Sequence, residues 1–221
     1  MDHLQNELKK EFQVERMILF SDAVFAIAIT LLVIDLKIPE VEKKFITEAK
    51  LLNALAQLVP QFISFFFSFF IIGLFWIVHH RMYGFVVNYS RKLLVLNLAF
   101  LLGVILMPFS LSFYSRYSDT LLDAPVIIYA ANICYIGIMN IIIWRYISNP
   151  KNKLSEGLHP LVTRYIFIRS TILPITFVVV AVTYIFISPQ IAIFIPMITP
   201  IIINLVSLKT KKKIRQLNIQ L

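Results

Sequence analysis

Arg16, Ser21 and Asp22, then His79 and His80, then Asn97 are the residues of this chain whose types invite a chemical reading. Serine, aspartate and histidine are the members of a hydrolytic triad. Ser21, however, stands in the middle of a long helical run with no nucleophile elbow and no oxyanion loop beside it. Ser21, Asp22 and His79 are therefore not expected to form the site of an enzyme. Paired histidines suggest a metal. His79 and His80 are neighbours on a helix, where successive side chains point about 100° apart, and no cysteine, third histidine or carboxylate pattern completes a ligand set. Neither a metal nor another cofactor is expected. Two roles are left for these groups. Asp22 and His79 relay a proton or couple a cation, or the polar residues form interhelical hydrogen bonds that fix how apolar helices meet.

The element that positions the first of these groups is the stretch from Glu15 to Pro39, ERMILFSDAVFAIAITLLVIDLKIP. About 20 mostly apolar residues, rising 1.5 Å each, match the hydrocarbon core of a bilayer. Charges inside such a run are costly and commonly face protein or water. With the helix drawn at 100° per residue and Arg16 at zero, Ala23, Ile27, Thr30, Leu31 and Ile34 fall within an arc of roughly 100°. Ser21 and Asp22 lie at about 140° and 240° on the same wheel. One face is thus apolar except for Thr30, and the polar knot turns away from it. Periodicity does not separate a packing face from a pore lining.

Hydrophobic residues make up 59% of the 221, and the mean hydropathy is +0.81, more apolar surface than a water-soluble chain of this size buries. Long apolar runs without short alternating strands predict an all-α, polytopic membrane protein. Six spans are expected at about 16–37, 51–79, 93–113, 124–147, 164–187 and 191–208, making one transmembrane unit over residues 1–221. Pro60 marks a kink or entry point in the second, Pro174 a kink in the fifth, and Pro196 and Pro200 breaks in the sixth. Residues 1–14 suggest no more than an amphipathic turn. The start of the chain lacks a short apolar segment with a small-residue cleavage site, so the first span is expected to be retained as an anchor.

The net charge of +9 does not indicate nucleic acid, because the basic residues sit between and beyond the apolar runs. Of the 21 lysines and arginines, only Lys37, Lys43, Lys44, Lys50 and Arg116 fall in the loops that follow spans one and three. That asymmetry puts both termini in the cytoplasm of a multi-pass protein of the cell membrane. Asp35 and Glu40 would then lie at the outer end of the first helix, where they raise the local cation concentration. Cys134, the single cysteine, permits no intrachain disulfide.

Arg16, then Phe20-Ser21-Asp22, then Ala23-Val24-Phe25-Ala26-Ile27-Ala28-Ile29-Thr30 closely resembles the first-helix signature of the endolysosomal potassium channel family, and its prokaryotic branch in particular. The resemblance reaches into the second and third spans. It implies a potassium channel of leak type, modestly selective, rather than an enzyme, with potassium ions and the lipid bilayer as its partners. It also implies that Arg16, Ser21 and Asp22 engage Trp76, His79, Arg81 and Asn97 in a structural network. The family's narrowest constriction falls on Ile27, seven residues after Phe20, and the same face continues through Thr30, Leu31 and Ile34. One signature helix per chain cannot enclose an axial pore, so a homotetramer is implied. The alternative is a proton- or cation-coupled carrier using Asp22 and His79. Many carriers contain inverted repeats, whereas the Phe-Ser-Asp motif occurs once here.

Overall fold

Hydrocarbon offers no water to backbone N–H and C=O groups, so a chain with six apolar runs must satisfy them within helices. The structure, a computed structural model that describes residues 2–39, 44, 46–117, 120 and 122–217, does so, and contains no β-strand among those residues. The helices are α1 (Asp2–Leu31), α2 (Glu48–Gln57), α3 (Val59–Tyr83), α4 (Arg91–Arg116), α5 (Asp123–Ile147), α6 (Pro160–Phe186), α7 (Pro189–Ala192) and α8 (Ile195–Gln216). Among the described residues, six segments are long and apolar enough to cross a membrane, namely Glu11–Ile34, Val59–Tyr83, Arg91–Arg116, Asp123–Ile147, Pro160–Phe186 and Pro189–Ile214. The chain is a helical, multi-pass membrane protein.

Several boundaries differ from the sequence reading for identifiable reasons. Where the expected first span is 16–37, the segment long and apolar enough to cross is Glu11–Ile34, inside a longer helical run. The polar leader is helical and continuous with α1, while a 3-10 turn at Leu32–Asp35 tightens the C-terminal end and hands over to residues without regular secondary structure ahead of Pro39. The expected second span, 51–79, is two helices parted at Leu58. Pro60 sits in the first turn of α3, where its missing N–H has no helical acceptor to lose. Pro200 does not break the last helix. It lies inside α8, and Pro196 lies in the first turn of that helix, which runs on to Gln216. Glu40 lies outside the described residues, as does the side chain of Asp35.

The helices pack in a simple order. α4 lies against α5 and α5 against α6, α8 covers α6, and α1 packs on α3 and α4. Among the described residues, α1 does not reach α5, α6 or α8. Among its described side chains and the 3-10 turn that follows, the buried residues are Val14, Met17, Ser21, Phe25, Ala28 and Leu32, spaced three or four apart along a single stripe. The first helix therefore stands at one side of the bundle, with its other face bare.

Candidate functional site

Ser21 lies at the centre of the buried stripe of α1 and is fully buried. A serine inside a helix has a carbonyl of its own to bond, and Ser21 Oγ donates to Met17 O, one turn back, at 2.8 Å. With its proton committed, the same oxygen accepts from Asn97 Nδ2 of α4 at 2.8 Å. The amide oxygen of Asn97 must then be an acceptor, and it meets His79 Nε2 of α3 at 2.9 Å. A single chain of donors runs from His79 through Asn97 and Ser21 to the backbone of α1. It joins all three helices and uses one imidazole N–H.

Aromatic rings enclose the histidine. Tyr83 stacks on it at 4.1 Å between centroids, Phe100 at 5.1 Å, and Phe25 meets it tilted at 5.6 Å. None of the three was picked out from sequence, although a signal existed. Phe25 is four residues from Ser21, Tyr83 four from His79 and Phe100 three from Asn97, which places each on the same helical face as its polar neighbour. Nδ1 of His79 and the hydroxyl of Tyr83 are buried without a hydrogen-bond partner.

Asp22 takes a different partner. Its Oδ1 accepts from Trp76 Nε1 at 2.8 Å, on the half-buried flank of the α1–α3 contact, and the Trp76 ring lies beside His80 at 5.6 Å. Asp22 and His79 are not bonded to each other. Arg16 is not gathered into the network. It is exposed, with its guanidinium 5.7 Å from the centre of the Phe12 ring one turn earlier. Among the described residues there is no group of three or more His, Cys, Asp or Glu that could hold a metal.

The opposite face of α1 is uncovered. Ile27 is 58% exposed, Leu31 39% and Ile34 67%, and Ala23 and Thr30 are exposed beside them. The hydroxyl of Thr30 donates to Ile27 O at 2.8 Å, and its oxygen keeps acceptor capacity on this exposed face. In a helix that spans the membrane this is an apolar strip with one hydroxyl, that of Thr30. Its register is fixed from behind by Ser21 and Phe25.

A family model described as the endosomal/lysosomal potassium channel TMEM175 matches residues 16–108. A potassium channel of Streptomyces collinus is 37% identical over 98 residues, 44% of this chain and 46% of its own, so the match spans about half of that relative. A potassium channel of a Chryseobacterium species is 30% identical over 183 residues, 80% of this chain and 85% of its own. Among solved structures, the crystal structure of a lysosomal potassium-selective channel TMEM175 homolog from Chamaesiphon minutus is similar with a TM-score of 0.73 at 25% identity, over 89% of this chain and 99% of that one.

Proposed function

From the premise that the chain belongs to the endosomal/lysosomal potassium channel TMEM175 family, we propose that it is a potassium channel in which four copies set their α1 helices around a common axis. The observation that carries the reading is the division of α1 into two faces. One is packed and pinned by hydrogen bonds, and the other is apolar and bare over Ile27, Leu31 and Ile34. Around an axis, four copies of each residue stack as apolar rings. A ring tight enough to exclude bulk water opposes permeation, so flow is slow and depends on side-chain size. Crossing it requires a cation to shed water, at a cost larger for sodium than for potassium. Thr30 stands one turn beyond Ile27, and its oxygen replaces part of the lost hydration. The preference for potassium is modest, since the pore face offers no stack of backbone carbonyls.

Placement follows from the charge bias. The inner ends of the spans and both termini are cytoplasmic in a cell membrane, and the Ser21–Asn97–His79 network lies in the inner half. The relay required by a carrier reading gains no support from the geometry, because Asp22 is bound to Trp76 and His79 to Asn97.

Purified protein in liposomes under potassium and sodium gradients, with a proton gradient as control, tests the proposal. Ile27→Ser is expected to raise flux and move the reversal potential toward zero selectivity, and Thr30→Val to lower selectivity more than flux. Unchanged potassium preference in Ile27→Ser rejects the assignment of the constriction, and absence of any potassium flux in the unmodified chain rejects the channel.

A further inference from the structure

Away from the α1 face, two arginines converge on one phenol. Arg169 of α6 donates from Nη1 to the hydroxyl of Tyr165, one turn earlier, at 2.9 Å, and its guanidinium lies 5.6 Å from the centre of that ring. Arg81, from the last turn of α3, interacts with the same hydroxyl. Both guanidinia border a crevice between the two helices whose other walls are Ile77, Val78 and Ile166. Tyr165 is buried and both arginines are half-buried.

The hydrogen-bond inventory does not balance. Each guanidinium carries five N–H donors, and a phenol oxygen accepts at most two. No other acceptor and no carboxylate meets Arg81 or Arg169 among the described residues. Two like charges at the rim of an apolar bundle repel each other and are expensive there unless an anion joins them. Arg81 does complement the C-terminal end of α3, and Arg169 reaches back toward the nearer end of its helix, but neither effect uses the remaining donors. The planar forks match the oxygens of a phosphate.

We propose that the mouth of this crevice, whose interior of about 10 Å³ admits no more than a water, seats the phosphate of an anionic phospholipid from the inner leaflet against Arg81 and Arg169, with Tyr165 as the fixed point between them. The lipid is favoured over free phosphate because the wall is hydrocarbon. Ile77 is 46% exposed, so the crevice opens sideways at the level of the spans, where an acyl chain continues from a headgroup. The position also has a consequence for α3. The helix that carries Trp76 and His79 would be clamped to α6 at the end nearest the polar network. This inference is independent of the channel reading, since lipid retention is measured without ion flux.

The test is native mass spectrometry of the full chain in detergent, titrated with phosphatidylglycerol, with phosphatidylcholine, and with inorganic phosphate as a competitor. Phosphatidylglycerol should be retained in preference to phosphatidylcholine. Retention should weaken about fivefold for Arg81→Gln and again for Arg169→Gln. Arg164→Gln, an exposed arginine beside Tyr165, should leave it unchanged. Equal loss in all three variants would mean diffuse attraction to basic residues and would overturn the site. Displacement by millimolar phosphate would overturn the lipid as its source. Equal retention of both lipids, as expected if a carboxylate from another copy fills the crevice, would overturn the proposal as well. Should a Gln variant fail to fold, Arg81→Lys and Arg169→Lys decide the matter, because they keep the charge and lose the fork. Weaker retention then supports the site and unchanged retention refutes it.

Discussion

Asn97 is the residue through which α1 meets both of its neighbours, because its amide gives one hydrogen bond to Ser21 and takes one from His79. Removing it strands two buried polar groups at once. Asn97→Leu should destabilise the protein by about 1 to 2 kcal/mol, the range for interhelical hydrogen bonds in membranes. Ser21→Ala should cost less, since its own proton goes to a carbonyl of its own helix. Unfolding in mixed micelles of rising denaturing-detergent content measures both, and the double variant should fall well short of the sum. Strict additivity would show that the two residues do not act as one network. His79 and Asn97 were legible in the sequence because a polar residue inside an apolar run needs a partner at the same depth. Arg16 was legible as a charge but not in its placement. A long side chain beside both an apolar ring and open surface chooses among rotamers, and spacing along the chain does not make that choice.

At the scale of the helix, the number of spans followed from hydropathy, while several of their ends did not. What hydropathy does not encode is how closely two helices approach. Gly137 of α5 faces Pro174 of α6, and a Cβ added there would lie 2.4 Å from the ring carbon Cγ of the proline. Pro174 was expected as a kink. It lies inside α6, where its rigid ring seats against a glycine and its carbonyl accepts from Cys134 Sγ at 3.4 Å. Gly137→Ala should therefore destabilise by about 1 to 3 kcal/mol, because neither the ring nor the backbone can yield without parting the helices. Gly73 of α3 has nothing within 4 Å of the same added atom, and Gly73→Ala should be neutral or stabilising by up to about 1 kcal/mol from helix propensity alone. Thermal unfolding of the two variants in the same detergent makes the comparison. Equal melting temperatures would refute the close approach of α5 and α6.

At the scale of the whole molecule, exposure in one chain does not tell an axial face from a lipid face. Ile27 on α1 is 58% exposed and Ile175 on α6 is 60% exposed, and both are isoleucines on membrane-spanning helices. What distinguishes them is the other side of each helix. α1 is held in register by Ser21, whereas α6 lies among α5, α3 and α8 and, among the described residues, does not touch α1. Fixed register matters where identical side chains from several copies must meet at one height, and it matters little against fluid lipid. The sequence carries the apolar face but not its partner, because on the proposed reading the surface that covers it belongs to other copies of the same chain. In a Cys134→Ala background, where no native thiol remains, Ile27→Cys is therefore predicted to form linked pairs when the assembled protein meets a short thiol-to-thiol reagent. Ile175→Cys should stay single under the same treatment. One thiol per chain can join only two chains, so the product on a denaturing gel is a dimer, while the native particle should weigh roughly four times the 25.6 kDa chain plus bound detergent. A native mass of one chain would exclude an axial pore, since a single α1 encloses nothing. A native mass of four chains with linking at Ile175 and none at Ile27 would keep the tetramer and turn it inside out, with α6 at the axis and the bare face of α1 in lipid.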